Sequence, residues 1–226
     1  MSERVLIFDM DGVLVDVTES YRETIARTVE HFTGRRLAPA EIQQYKNEGG
    51  WNDDWKLSHH IVTAGGGGAG FEEVKAYFQA IFHGNGTDGL MMRERWMARP
   101  GMLEKLNREF RFALFTGRPK WEAELTLRRF APELVFSPIV GMEEVERPKP
   151  EPDGLLQITA ANPGAAAYYV GDTVDDARCA RAAGVPFIGI APPANPLYRD
   201  LVFLFQEQGA LSIVDDINSL EEVFAL

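Results

Sequence analysis

Val5 to Phe8 form an unbroken apolar run that stops at Asp9-Met10-Asp11-Gly12. A short run without polar alternation, ended by a turn signal, predicts a strand buried on both faces. A helix is predicted next over 17–32, with Val17, Tyr21, Ile25, Val29 and Phe32 on one face. Asp16 with Glu19 resembles a helix-capping arrangement there. As far as Arg99 the pattern stays helical, interrupted at Gly65 to Gly68, with no strand expected.

Past Pro100-Gly101 the periodicity changes. Apolar runs at 112–115, 135–140, 166–170 and 185–190 alternate with amphipathic stretches at 102–109, 119–130, 154–161 and 173–183. Such alternation predicts parallel strands joined by crossover helices. The fold class is therefore α/β: a doubly wound, Rossmann-like parallel-sheet core from residues 1–15 and 99–226. A helical cap, residues 16–98, is inserted after the first strand. Leu201 to Phe205 predicts a helix docked on the sheet.

Composition narrows the function. The chain has 226 residues, 45% of them hydrophobic, enough for one large domain with a smaller insert. Its formal net charge of -11 repels a phosphate backbone, so no nucleic-acid partner is expected. No run approaches the roughly 18 apolar residues of a membrane span, and the first residues do not read as a leader. The single cysteine, Cys179, permits no internal disulfide and reads as a small buried helix residue. A cytoplasmic protein without a membrane partner is expected.

The chemistry gathers where strands end, the edge at which open α/β sheets bind ligands. There stand Asp9 and Asp11, then Thr116-Gly117-Arg118, then Lys149 within Arg147-Pro148-Lys149-Pro150, then Gly171-Asp172-Thr173-Val174-Asp175-Asp176. Several carboxylates on one rim repel each other unless a cation joins them. Mg2+ suits such a set, since it takes hard oxygen ligands and a substrate phosphate. Asp9, Asp172 and the backbone carbonyl of Asp11 are the natural ligands. Lys149 can neutralise phosphate and nucleophile, while the Thr116 hydroxyl and neighbouring backbone N–H groups, including that of Gly117, can bind phosphate oxygens. Asp9 can attack phosphorus, and Asp11 can protonate the leaving oxygen and then deprotonate water.

These four segments, in this order, resemble the four motifs of the haloacid dehalogenase superfamily, and the resemblance covers the whole core. The helical insert is similar to the first type of cap, found in phosphoglycolate phosphatase and β-phosphoglucomutase. The resemblance implies Asp9 as nucleophile, Asp11 as general acid/base, Thr116 as the phosphate-binding hydroxyl, Lys149 as the motif lysine and Asp172 as metal ligand. Asp176, with Asp175 as an alternative, would order a metal-bound water. Dehalogenases of this superfamily lack an acid at the position of Asp11, which favours phosphate esters here.

The implied function is a magnesium-dependent phosphatase for a small phosphorylated metabolite, working through an aspartyl-phosphate on Asp9. Histidinol phosphate and sugar phosphates are candidate substrates. The alternatives are a phosphomutase, a phosphonate hydrolase using Lys46 or Lys56 as a Schiff base, a phosphoacceptor signalling module and a catalytically silent binding protein. Within the insert, Tyr45 to Lys56 mixes glycines, two tryptophans, amides and lysines. Lys46, Asn52 and Lys56, with Arg118 of the core, are candidate specificity residues. The glycine run at 65–68 has no preceding strand and no Lys-Ser/Thr after it, so it reads as a linker. His59-His60 lacks an acidic partner at ligand spacing and reads as surface helix. Oligomeric state is not legible.

Overall fold

In the computed structural model, which describes residues 3–225, Val5, Leu6, Ile7 and Phe8 are all buried, as a strand covered on both faces requires. They lie in β1 (Arg4–Phe8). The remaining strands are β2 (Val15–Asp16), β3 (Arg95–Trp96), β4 (Arg111–Phe115), β5 (Phe136–Val140), β6 (Ala166–Gly171), β7 (Phe187–Ile190) and β8 (Ser212–Val214). The helices are α1 (Tyr21–Thr33), α2 (Pro39–Glu48), α3 (Asp54–Ala64), α4 (Phe71–His83), α5 (Met102–Asn107), α6 (Lys120–Phe130), α7 (Asp153–Ala160), α8 (Val174–Ala183), α9 (Tyr198–Glu207) and α10 (Leu220–Val223). The chain divides into two compact units, one taking residues up to Val15 and from Trp96 onward, the other Asp16–Arg95.

The first unit is built on a six-stranded sheet in the order β5-β4-β1-β6-β7-β8. Every neighbouring pair runs parallel. Phe8, the last residue of β1, aligns with Leu114 on one side and Val170 on the other. The chain ends of three adjacent strands therefore meet at one rim. Alternate side chains go to opposite faces. Val5 and Ile7 join Phe115, Leu155, Ile158, Tyr169, Phe187, Leu201 and Phe205 in one core, which takes in residues of α7, α8 and α9. The opposite face centres on Phe8, whose ring lies 5.1 Å from Phe112 and 6.0 Å from Phe136. As expected, α9 docks on the sheet, with Phe205 5.2 Å from Phe187.

Some boundaries differ from the sequence pattern. The first helix starts at Tyr21 rather than near Val17, because Asp16 is an extended residue of β2 and does not cap it. Its carboxylate instead accepts from Thr18 N at 2.9 Å and pairs with Arg95 at 2.7 Å. Neither β3 nor β8 was expected. Both are too short for periodicity to register, and β8 is only partly buried along its length.

The second unit is helical apart from its strand-end residues. Ile25 and Val29 of α1, Leu57 and Ile61 of α3, and Val74, Phe78 and Phe82 of α4 form its interior. Tyr21 tilts against Phe82 at 4.2 Å. The glycine run joins α3 to α4. Among the described residues, no helix is long and apolar enough to cross a membrane.

Candidate active site

The strand-end rim begins with a tight loop. Asp9 extends β1 by donating its backbone N–H to Val170 O at 2.8 Å. The chain then folds back on Met10, whose carbonyl accepts from Leu14 N at 2.9 Å and Val15 N at 3.0 Å. The reversal requires a positive φ at Gly12, 72°. A Cβ there would also stand 1.9 Å from Asp172 Oδ2, so only glycine lets the two acidic segments approach.

Lys149 is the hub. Its ammonium, wholly buried, donates to Asp9 Oδ1 at 2.9 Å, Asp176 Oδ1 at 2.8 Å and Tyr169 Oη at 3.0 Å. Burial alone would lower its pKa, but the carboxylates of Asp176 and Asp9 outweigh that and hold it raised. Burial pushes the Asp9 carboxyl up to about 7, with Asp176 and Asp11 adding to the rise and Lys149 opposing it. Burial acts upward on Asp176 too, yet Lys149 and the hydrogen bonds from Lys149, Thr173 and Tyr169 bring it below the usual range. The three groups thus share charge unequally: Asp176 is the settled anion, and Asp9 is the carboxyl whose ionisation is finely balanced.

Thr116 follows β4, buried, with its backbone N–H on Val140 O at 3.1 Å. Its hydroxyl accepts from Arg118 N at 3.1 Å, an arrangement that folds the Thr116-Gly117-Arg118 turn over the strand end. Arg118, only 2% exposed, aims its guanidinium at Asp11: Nε donates to Oδ1 at 2.8 Å, and Nη2 donates to the same oxygen. Nη1 reaches Thr126 Oγ1 at 3.1 Å.

Carboxylate oxygens of Asp9, Asp172 and Asp176 lie within 4.8 Å of one another. This all-carboxylate donor set suits a hard divalent cation. The two oxygens of Asp176 already accept from Lys149, Tyr169, Thr173 N at 3.0 Å and Thr173 Oγ1 at 2.7 Å. Asp9 and Asp172 are the other side chains of the cluster that could hold such an ion. Asp175 lies outside this cluster. It is buried in the first turn of α8, 3.7 Å from Arg178 Nη1.

Residues 6–190 match the haloacid dehalogenase-like hydrolase family. The chain belongs to that family. It is 35% identical over 199 residues to an imidazoleglycerol-phosphate dehydratase of Phytophthora nicotianae, a match covering 84% of this chain and 44% of that protein. The chain thus spans less than half the length of that relative. A phosphoglycolate phosphatase of Cereibacter sphaeroides is 26% identical over 188 residues, covering 80% of this chain and 82% of its own. The fold is similar to that of a haloacid dehalogenase-like protein from Agrobacterium tumefaciens, with a TM-score of 0.74, 19% identity, and coverage of 99% and 98% of the two chains.

This haloacid dehalogenase-like hydrolase brings Asp9, Lys149, Asp172 and Asp176 to one cluster, with Arg118 braced on the adjacent Asp11. The candidate specificity residues of the helical unit have separate surroundings. Lys46 Nζ is committed to Asp54 Oδ1 at 2.6 Å and Trp51 O at 2.8 Å, which ties the 49–53 loop to α2. Lys56 is exposed, 3.5 Å from Asp53. Asn52 is half-buried in the loop before α3. Of the two histidines, His60 is exposed beside Trp51 at 4.4 Å, and His59 meets Phe71 at 5.7 Å. Cys179 is buried, donating to Glu151 O at 3.2 Å, and burial pushes its thiol up to about 12.

Tyr169 was missed by sequence reasoning, which took Tyr168-Tyr169-Val170 as plain strand. A signal was present. A tyrosine on a strand buried on both faces must find a partner for its hydroxyl, and the charged groups at that strand's end were the partners within reach.

Proposed function

We propose that the chain is a magnesium-dependent phosphatase acting on a small phosphomonoester through an aspartyl-phosphate on Asp9. The observation that carries this reading is the buried contact of Lys149 with Asp9, 2.9 Å, beside the Asp172 carboxylate. Asp9 attacks phosphorus, and the bond from phosphorus to the ester oxygen breaks. The departing oxygen keeps the electron pair and takes a proton from Asp11. Water then attacks the aspartyl-phosphate, gives its proton to Asp11 and frees Asp9 and inorganic phosphate. Lys149 offsets charge at the nucleophile, and Thr116 offers its hydroxyl to a phosphoryl oxygen. Mg2+, held by Asp9, Asp172 and the Asp11 carbonyl, would neutralise phosphoryl charge and favour ionised Asp9.

The phosphoryl-binding residues are blind to the alcohol that leaves, so leaving-group choice is assigned to the helical unit, with Asn52 and Lys56 as its candidate contacts. For the substrate class, we propose a short alkyl phosphate bearing an imidazole. The support is the name of the 35% identical relative, which is that of an enzyme of imidazoleglycerol phosphate. The Asp9 site is built for P–O cleavage rather than dehydration, so the compound class carries over and the reaction does not. A net charge of -11 also favours a substrate whose far end is cationic.

The test is phosphate release, with Mg2+, from a panel holding histidinol phosphate, phosphoglycolate and hexose phosphates. The expected result is the highest kcat/KM on the imidazole ester. A preference for phosphoglycolate or a sugar would overturn the substrate class alone. Isomer formation without phosphate release would make the enzyme a mutase.

A further inference from the structure

The three protons of the Lys149 ammonium have three acceptors, of which the proposed mechanism uses only Asp9. The other two stand behind the lysine. Tyr169 Oη lies 3.0 Å from Lys149 Nζ and 2.6 Å from Asp176 Oδ1. A phenol has one proton, so it accepts from the ammonium and donates to the carboxylate. Asp176 is itself fixed, because its second oxygen is held by Thr173 at the N-terminus of α8. The ammonium, the phenol and the carboxylate close a triangle that is wholly buried.

Packing alone does not ask for this hydroxyl. The Tyr169 ring sits between Phe115 at 6.3 Å and Phe187 at 6.2 Å, where a phenylalanine would serve as well. The hydroxyl of a buried tyrosine needs partners, and here the principal ones are the two charged groups of the site. A lysine stem is long and flexible, and Tyr169 with Asp176 removes that freedom from one side.

We infer that Tyr169 is a positioning residue, whose hydroxyl fixes the Lys149 ammonium against Asp9. The inference rests on the reading of Asp9 as nucleophile. Tyr169→Phe keeps the ring and deletes the anchor. Lysine left with two acceptors stands less well against the attacking carboxylate, so the loss falls on the chemical step. For p-nitrophenyl phosphate, kcat is expected to fall about 10- to 100-fold while KM stays within about threefold.

A structural role alone would not move the lysine, so the second readout is NMR of the lysine side-chain ammonium in 15N-lysine-labelled protein, with Lys149 assigned from its loss in Lys149→Met. The wild type should give a resonance protected from exchange with water. In folded Tyr169→Phe that resonance should shift and lose protection. An unmoved resonance, or a wild-type kcat in the variant, would overturn the inference. If the wild-type protein turns over no ester, the phosphatase reading falls, and the resonance alone then decides whether Tyr169 positions Lys149.

Discussion

Arg118 meets Asp11 end-on, with two of its nitrogens donating to the single oxygen Oδ1. Asp11 is 28% exposed at its side chain, whereas the guanidinium is buried and further held by Thr126. The arginine therefore works as a brace, and one carboxylate oxygen of Asp11, the proposed acid/base, is fixed by it. Arg118→Met should lower kcat about 10- to 100-fold, and by the same factor on the preferred metabolite and on p-nitrophenyl phosphate. A loss confined to the metabolite would instead make Arg118 a leaving-group contact.

Asp9→Asn should fold and lose turnover by several orders of magnitude, since it lacks the proposed nucleophile. Acid-quenched wild type should carry one phosphoryl group on the peptide containing Asp9. Near-wild-type turnover in the folded variant would disprove covalent catalysis.

Asp9 also predicts a pH dependence of stability in metal-free protein. Its folded pKa is raised from the ordinary 3.8 to about 7, so between those values the folded state binds the extra proton. Stability then falls as pH rises through this window, by at most about 4 kcal/mol. Asp176 works in the opposite direction, but only at more acidic pH. Urea unfolding of wild type and Asp9→Asn, from pH 4 to pH 8, isolates the contribution. Their difference should shrink the wild type's advantage as pH rises, and a flat difference would contradict the balance described.

Chelation should abolish activity, and added Mg2+ should restore it. Ca2+ should inhibit, because its longer and looser coordination misplaces phosphate against Asp9. Full activity in excess chelator would remove the ion from the reaction.

Lys46 and Lys56 should part company. Lys46 is largely buried against Asp54 and the Trp51 carbonyl, so Lys46→Ala should cost about 1–3 kcal/mol in unfolding. Lys56 is 65% exposed at its side chain, and Lys56→Ala should leave stability unchanged. If Lys56 or Asn52 reads the leaving group, its alanine variant loses about 10- to 1000-fold in kcat/KM on the metabolite, and far less on p-nitrophenyl phosphate. Equal losses on both substrates would mean a role in folding or closure.

The parallel core was legible because its strands carry continuous apolar runs and its chemistry sits at their ends. Asp9, Lys149 and Asp172 stand out by their position in the sequence, and the structure brings them together. What the chain pattern hides is which partner a polar group chooses. For Arg118 the pattern leaves a substrate contact and a salt bridge equally open, and Asp11 lies within reach once β1 and β4 pair. Lys46 reads as a specificity residue, yet the turn after α2 carries Asp54 to it. Asp16 read as a helix cap, but extended backbone at that residue gives its carboxylate to Thr18 and Arg95. Strand β8 escaped because three partly buried residues carry no period.

The order of strands across the sheet also sets an order of events on the ribosome. One of the two central strands, β1, is made before the other strands of the sheet, yet its two neighbours begin at Arg111 and Ala166. While the intervening chain is made, β1 has neither flank paired, and its four buried apolar residues wait for partners. The helical unit spans residues 16–95, all of which are made during that interval. Asp9 is thus made before the strands that seat it, and its cluster with Lys149 and Asp172 can close only after Gly171 and Asp172 have emerged.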